Sequence, residues 1–390
     1  MKRRLPERRV LVAHPSADLY GSDRVLLESV QGLVSAGARV SVTMPAPGPL
    51  VAELEARGAQ IIMCKTVVLR KSLLSPRALL RLLPAAIAAS VRSGSLLLKL
   101  RPGSVYVNTL TLPLWTVLPR LMGCKVVVHV HEAEQSARPL VKRALAAPLL
   151  FASAILINSR FSEAVLLAAQ PRLNGRITVV DNAVPGPGEP PPSRSDVSDC
   201  VRLLYVGRLA HRKGVDVAVA AVEVLSARGV QAQLDIVGAV YPGNEAYEAE
   251  LRGSIQAAGL QDQVHLHGFH RDVRPFLART DIALVPSRLD EPFGNTAVEA
   301  LLSGRPVIVS DTSGLREAAG GYEGVHFVPP SDPKALADAA EKIRANWCQW
   351  IARSAADAVV AAAKHSPELY QRRIAAHLLP AVQHLVEEKR

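Results

Sequence analysis

Residues 282–310 read IALVPSRLDEPFGNTAVEALLSGRPVIVS, and this stretch decides the fold class. A short β-branched run leads into a polar loop, a helix-length segment and a second β-branched run, which is the order of elements in a parallel sheet. Pro292 and Gly294 prevent a helix from starting before about Asn295. The amide groups at that helix N-terminus should point outward and bind an anion. The stretch therefore predicts a doubly wound α/β domain with an anion site.

The same alternation of strands and helices extends over most of the chain. We predict strands at residues 10–13, 40–44, 61–64, 105–108, 126–130, 154–158, 177–180, 201–207, 233–238, 264–268, 282–287 and 306–310. Residues 185–199 read PGPGEPPPSRSDVSD, which is too rich in Pro, Gly and Ser for a helix or a central strand. The sequence therefore predicts a first domain at 1–184, a linker at 185–199, a second domain at 200–345 and C-terminal helices at 346–390 that cross back to the first domain, with a break at Ser366-Pro367.

Composition excludes several classes of protein. The 390 residues carry a net charge of +11, are 49% apolar and only 4% aromatic, which argues against a protein that stacks nucleic-acid bases. The four cysteines are far apart and form no CxxC pair, so neither a zinc knuckle nor a disulfide framework is expected. The apolar run at residues 10–13 is too short for a signal peptide, and the run at 79–100 is interrupted by Arg81, Pro84, Arg92 and Gly94. These features predict a cytoplasmic location.

Four charged residues of the second domain are suited to a nucleotide diphosphate. Arg208 and Lys213 follow the strand at 201–207, where the arginine can grip two oxygens and the lysine supplies a mobile charge. Such a pair alone is more often two solvated surface charges. Glu291 lies in the loop before the predicted anion-binding turn, and Glu299 lies about one turn inside the helix that follows. Both can therefore face one bound molecule. Together the four residues favour recognition of a phosphate and of hydroxyl groups.

These segments carry a family resemblance. The sequence GRLAHRKG at 207–214, together with 286–317, closely resembles the retaining family 4 glycosyltransferases (glycosyl transferases group 1), including their Glu-x7-Glu motif at Glu291 and Glu299. The similarity continues in NSRFSEAVL at 158–166 and DNAVP at 181–185. It implies the GT-B fold, in which two Rossmann-like domains face a central cleft. It also implies transfer of a sugar from a UDP- or GDP-sugar to a glycan, lipid-linked or metabolite acceptor, as in polysaccharide biosynthesis.

The resemblance also implies roles for individual residues. The residues matching Arg208 and Lys213 neutralise the leaving diphosphate, Glu299 holds the ribose, and Glu291 touches the transferred sugar. Retention is ascribed in this family to front-face attack, in which the leaving phosphate takes the acceptor proton. The remaining donor-binding positions it implies are Gly21, Ser22, Gly207, Gly238, Phe269, His270, Phe293, Gly294, Asn295 and Thr296. Ser22 and Asp23 depart from the usual second glycine and Glu of this loop, and the serine is small enough to keep a close turn.

Histidines could in principle hold a metal, since His129 and His131 share a strand face, as do His265 and His267. Only Glu132 lies at ligand spacing, and the arginine, the lysine and the helix N-terminus already supply positive charge. We therefore expect no metal and no cofactor, with His131 contacting a sugar hydroxyl.

Two alternatives to a glycosyltransferase stay open, and a basic surface suggests a further property. A GT-B epimerase or phosphorylase would share the fold, and a non-catalytic nucleotide-sugar binder would share the site. No Asp or Glu occurs between Glu55 and Glu132, while eleven Lys or Arg do, among them Arg70, Lys71, Arg77, Arg81, Arg92 and Lys99. This surface predicts docking on the inner face of an anionic membrane. The alternatives are a solvated basic face, or one that is complementary to an anionic soluble acceptor or protein partner.

Overall fold

The computed structural model describes residues 8–69, 76–132, 135, 138–241 and 243–379. These residues form two compact units. Unit 1 runs to Ala183 and takes up the chain again at Pro367, and unit 2 is Val184–Ser366. Each unit is a parallel sheet covered by helices on both faces, which confirms the predicted α/β class.

Unit 1 contains a seven-stranded parallel sheet in the order β3-β2-β1-β4-β5-β6-β7. Its strands are β1 (Arg9–Ala13), β2 (Arg39–Met44), β3 (Gln60–Met63), β4 (Ser104–Val107), β5 (Lys125–Val130), β6 (Ala154–Ile157) and β7 (Ile177–Val179). The central strands are rich in aliphatic residues because both of their faces are buried.

Helices cover the two faces of this sheet unequally. They are α1 (Gly21–Ser35), α2 (Pro49–Ala56), α3 (Pro76–Leu100), α4 (Pro113–Leu121), α5 (Pro139–Ala146) and α6 (Arg160–Ala169). One core joins Val10 and Val12 of β1 to α1 and α2, and the other joins Leu11 and Ala13 to α3, α4, α5 and α6. The alternation along β1 therefore sorts the helices into two layers.

Helix α3 is continuous over residues 79–100, whose apolar run is interrupted in the sequence by charged residues, a proline and a glycine. The helix runs for 25 residues and includes Pro84. Ala89, Ser93 and Leu97, spaced one turn apart, are buried, and this packing offsets the lost hydrogen bond at the proline. Within the parts of the chain that the structure describes, the window Leu83–Leu100 is the one helical stretch with the length and apolar character of a membrane span, judged by these two properties alone, and 17% of it is buried.

Unit 2 contains a six-stranded parallel sheet in the order β10-β9-β8-β11-β12-β13. Its strands are β8 (Val201–Val206), β9 (Ala232–Val237), β10 (Val264–Gly268), β11 (Ile282–Val285), β12 (Val307–Ser310) and β13 (Val325–Val328). Its helices are α7 (Val215–Ala227), α8 (Glu245–Ala257), α9 (Arg274–Arg279), α10 (Asn295–Leu302), α11 (Ser313–Ala319), α12 (Pro333–Ala345) and α13 (Trp347–Lys364). All twelve predicted strands are present, and β13 was not predicted.

The proline-rich segment at 185–199 forms neither helix nor strand, as its composition indicates. It nevertheless contacts unit 2 at several positions. Val197 is buried in the core, and the Trp347 indole donates a hydrogen bond of 2.9 Å to the Arg194 carbonyl. The segment is therefore an ordered part of unit 2, whereas the sequence suggested only a connector.

The last two helices belong to different units. Helix α13 packs against α10 and belongs to unit 2, so the predicted return at residue 346 is too early. Helix α14 (Pro367–Leu378) packs on α1 of unit 1, where Tyr370 lies in the core. Gly32 of α1 allows this contact, because an added Cβ would lie 2.6 Å from the Gln371 Cβ. The return to unit 1 therefore begins after the break at Ser366-Pro367.

Candidate active site

The strand order of unit 2 places its candidate site. The chain moves from β8 outward to β10 on one side and then crosses to β11 on the other side of β8. In open α/β sheets, ligands bind beyond the carboxyl ends of strands at such a switch point. Residues 207–214 follow β8 and residues 286–295 follow β11, so the topology brings together the two segments that the sequence singled out.

Glu291 is the centre of this site. Its carboxylate is buried and accepts hydrogen bonds from the Lys213 ammonium at 2.7 Å and from the Ser287 hydroxyl at 2.7 Å. The Arg212 guanidinium lies 3.5 Å from the same carboxylate. The sequence predicted Glu291 and Lys213 but missed Arg212 and Ser287, although both lie in the same two loops after β8 and β11.

The pKa shifts of this pair reflect burial together with the charges of the neighbouring arginines. Burial lowers the pKa of Lys213, and Arg212 and Arg208 act in the same direction against the attraction of Glu291. The pKa of Glu291 is also lowered, because Lys213 and Arg212 outweigh the effect of its burial. A surplus of cations favours a charged carboxylate and disfavours a charged ammonium, which is the electrostatic character of an anion site.

Arg208 is held by a different set of contacts. Its guanidinium carbon lies 3.6 Å from the centroid of the Tyr241 ring, and its carbonyl accepts a 2.8 Å hydrogen bond from the Tyr205 hydroxyl. Two glycines bring the neighbouring backbones together. A Cβ on Gly238, whose φ is +151°, would lie 1.8 Å from the Gly207 carbonyl oxygen, and one on Gly214, whose φ is +67°, would lie 1.9 Å from the Pro286 carbonyl oxygen.

Helix α10 starts at Asn295, as the sequence predicted. Phe293 is buried in the hydrophobic core, while Gly294, Asn295, Thr296 and Glu299 are partly exposed at or near the first turn. Gly294 has a φ of +122° and packs its Cα side against Leu315. Phe269 and His270 follow β10 at the same edge of the sheet, and both side chains are exposed. Their roles stay predictions.

We expect Glu299→Ala to weaken binding of a nucleoside diphosphate by about 1.5 to 3 kcal/mol, because a charge-assisted ribose hydrogen bond exists in both the ground and transition states. Calorimetry with the free nucleoside diphosphate measures this loss. Glu323→Ala, at an exposed carboxylate of the same unit, is the control. Equal affinities for wild type and Glu299→Ala would show that Glu299 does not bind the ribose.

Unit 1 has its own switch point between β1 and β4. His14 follows β1, Asn108 follows β4 and His131 follows β5, and these three side chains form a buried hydrogen-bonded chain. The Asn108 amide lies 3.2 Å from His14 Nδ1 and 2.9 Å from His131 Nε2. At the far end, His14 Nε2 lies 2.8 Å from Asp23 of α1. The sequence predicted His131 but missed the other three, although His14 directly follows one predicted strand and Asn108 ends another.

The carboxylate of Asp23 fixes the direction of this chain. A carboxylate only accepts, so His14 Nε2 donates to it, and a neutral His14 then accepts from the Asn108 amide nitrogen at Nδ1. The Asn108 oxygen in turn accepts from His131 Nε2. Burial, followed by the neighbouring His14, lowers the pKa of His131 to about 3. His131 is therefore a neutral imidazole at physiological pH, which suits contact with a hydroxyl group.

The structure corrects the predicted glycine loop and clarifies the histidine pairs. Gly21 and Ser22 form the first turn of α1 instead of a loop, because the Asp23 carboxylate accepts a 2.8 Å hydrogen bond from the Tyr20 amide and caps the helix there. The His129 and His131 rings lie 4.0 Å apart, while His267 pairs with Asp235 at 2.5 Å. Among the residues that the structure describes, no three His, Cys, Asp or Glu side chains are grouped so that they could hold a metal.

Comparison with known proteins connects both units to one family. Residues 197–364 match the family model described as Glycosyl transferases group 1, and residues 20–185 match that described as Glycosyltransferase Family 4. The solved structure of HepE from Anabaena, in complex with UDP and glucose, has a TM-score of 0.80 at 21% identity and covers 95% of this chain and 98% of that chain. The two matches and this shared architecture define a GT-B protein. The chain belongs to the group 1 glycosyltransferases.

Curated relatives match over a shorter length. Alpha-D-kanosaminyltransferase of Streptomyces kanamyceticus is 31% identical over 153 residues, which is 38% of each chain. The 2-deoxystreptamine N-acetyl-D-glucosaminyltransferase of Niallia circulans is 32% identical over 146 residues, 37% of this chain and 36% of that protein. The chain therefore spans well under half the length of the curated relatives it matches.

Proposed function

We propose that this protein transfers a sugar from a nucleoside diphosphate sugar to an acceptor hydroxyl, with retention of anomeric configuration and without a metal ion. The observation that carries the proposal is the grouping of Arg212 and Lys213 around buried Glu291 at the switch point of unit 2, with Arg208 at the end of the adjoining strand. A site with surplus positive charge and one charged carboxylate fits a diphosphate bound to a polyhydroxylated sugar. The UDP bound by HepE supports a uridine donor.

Donor turnover tests the proposal. The protein is incubated with UDP- and GDP-sugars without an acceptor, and slow release of the nucleoside diphosphate is expected with at least one of them, because water replaces the missing hydroxyl. Loss of this release in Lys213→Ala would connect it to the site. An epimerase would instead return an epimerised nucleotide sugar or sugar, and a non-catalytic binder would bind the donor without release.

Unit 1 is proposed to bind the acceptor, a glycan, a lipid-linked sugar or a metabolite. Its neutral His131 and the buried hydrogen-bonded chain behind it suit recognition of hydroxyl groups. The anomeric configuration of the product, determined by NMR spectroscopy once an acceptor is found, tests retention. An inverted linkage would contradict the front-face mechanism.

Activity should persist in excess EDTA, because cationic side chains and the N-terminus of α10 stabilise the departing diphosphate in place of a cation. Nucleoside diphosphate release is measured with and without EDTA, and then with added Mg²⁺ or Mn²⁺. A rate that falls to background in EDTA and returns with either ion would contradict the metal-free mechanism.

We further propose that unit 1 docks reversibly on an anionic membrane through α3. Four aliphatic side chains of this helix, Leu83, Ile87, Val91 and Leu98, are more than half exposed. Arg92 and Lys99 are also exposed and lie seven residues apart, on one side of the helix. An aliphatic stripe beside a cationic stripe is typical of a helix that lies in the membrane interface. The predicted contributions of Arg70 and Lys71, and of the side chains of Arg77 and Arg81, lie outside the described residues.

Vesicle sedimentation tests this docking. Binding should require anionic lipid, at about 1 kcal/mol per cation, and should weaken as salt shortens the Debye length below about 10 Å. Ile87→Ser with Val91→Ser should reduce binding at all salt concentrations, and replacing Arg70, Lys71, Arg77 and Arg81 with serine should reduce it most at low salt. Val359→Ser with Val360→Ser, at exposed positions of unit 2, is the control. Equal recovery in the supernatant with neutral and anionic vesicles would contradict membrane docking.

A further inference from the structure

The loop after β9 places an aromatic ring over a charge of the candidate site. Tyr241 covers the Arg208 guanidinium at 3.6 Å from its ring centroid. This distance is short enough for a strong cation–π contact, whose range extends to about 6 Å. Sequence patterns did not identify Tyr241, because the contact joins residues that follow two different strands.

The backbone holds this ring in position. The Leu209 amide donates a 3.1 Å hydrogen bond to the Ala239 carbonyl, so the loops after β8 and β9 are joined directly. Val240 packs on the core of unit 2, and the Tyr241 carbonyl accepts a 2.9 Å hydrogen bond from the Asn244 amide. Tyr241 is thus anchored on both sides of its Cα.

Stacking on one face of the arginine is compatible with phosphate binding at its edge. A ring over the guanidinium occupies the face of that planar group, whereas the N–H groups lie in its plane and can still reach phosphate oxygens in a bidentate arrangement. Lys213 is held by a carboxylate, since its ammonium nitrogen lies 2.6 Å from Glu291 Oε1. The two cations are therefore positioned by different contacts: an aromatic ring packs on Arg208, and a carboxylate binds Lys213.

We infer that Tyr241 is a positioning residue that holds the Arg208 guanidinium over the diphosphate site before the donor binds. The inference rests on the proposed function of the site. Because Arg208 would act mainly on the charge that develops on the leaving diphosphate, loss of the ring should lower kcat more than it raises KM.

The experiment compares Tyr241→Phe with Tyr241→Leu in nucleoside diphosphate release. Phenylalanine keeps the ring and should stay within about twofold of wild type, while leucine should lower kcat roughly three- to tenfold. In the Arg208→Ala background, Tyr241→Leu should have no further effect. Tyr247→Leu, which removes a ring from the following helix α8, controls for lost packing.

Three results would overturn the inference: wild-type kcat in Tyr241→Leu, equal losses in the two Tyr241 variants, or a leucine effect that persists without Arg208. Calorimetric binding of inorganic pyrophosphate separates this inference from the proposed function. If no nucleotide sugar is turned over, the proposed function fails, and weaker pyrophosphate binding by Tyr241→Leu, but not by Tyr241→Phe, would still support the positioning role. Unchanged pyrophosphate binding by Tyr241→Leu would then count against it.

Discussion

Arg208→Ala and Lys213→Ala should each lower turnover by about 10²- to 10³-fold, equivalent to roughly 3 to 4 kcal/mol of transition-state stabilisation. In the proposed reaction, negative charge grows on the leaving diphosphate as the glycosidic bond breaks, so a fixed cation contributes more in the transition state than in the ground state. Donor affinity should change less than kcat. Steady-state release of the nucleoside diphosphate gives both parameters.

The two variants should differ in their effect on stability. Lys213→Ala leaves the buried Glu291 carboxylate with the Ser287 hydroxyl and the more distant Arg212, so some destabilisation is expected. Lys213→Ala combined with Glu291→Gln removes this penalty and should recover stability but not turnover. Arg228→Ala, at an exposed ion pair of α7's C-terminal end, is the matched control for loss of a surface cation. Turnover near wild type in both site variants would remove these residues from the mechanism.

Arg305→Met should lower the free energy of unfolding of unit 2 by about 3 kcal/mol. Arg305 is 1% exposed and its guanidinium donates to the carbonyls of Leu277, Ala278, Pro191 and Pro192 and to the Ser193 hydroxyl. Methionine preserves much of the volume but leaves these acceptors without their donors. Removing the charge offsets part of this loss of stability. Burial lowers the pKa of Arg305, which shows that the buried charge itself is unfavourable.

Urea unfolding followed by tryptophan fluorescence measures this loss, since Trp347 and Trp350 both lie in the core of unit 2. Arg344→Met is the matched control, because Arg344 also donates to carbonyls of the proline-rich segment, those of Val197 and Ser198, from a less buried position. It should cost less than about 1 kcal/mol. Arg305→Lys should destabilise unit 2 about as much as Arg305→Met, because a single ammonium group cannot reach all of the acceptors that surround the planar guanidinium. Equal unfolding midpoints for Arg305→Met and wild type would show that water replaces the guanidinium.

Local sequence patterns predicted most of the strands and helices but missed one strand. The missed strand β13 is short and partly exposed, and its His326 interrupts the aliphatic pattern on which the other strands were recognised. In helix α3, Pro84 and Gly94 weaken an isolated helix, whereas burial of Ala89, Ser93 and Leu97 stabilises the continuous form. In both places tertiary packing outweighed local propensity.

The sequence by itself determined the alternation of strands and helices, the start of α10 at Asn295, and the chemical character of Arg208, Lys213, Glu291 and Glu299. These properties depend on residues within about one element of each other, where side-chain period, proline and glycine act directly on the backbone.

Only the tertiary structure decided which of these groups meet. Lys213 pairs with Glu291, Tyr241 covers Arg208, Asn108 links His14 to His131, and Arg305 binds the proline-rich segment. Each contact joins segments that are separated along the chain, and its geometry depends on which strands are neighbours in the sheet. Strand order is set by the packing of whole helices and strands, which no single stretch of sequence specifies.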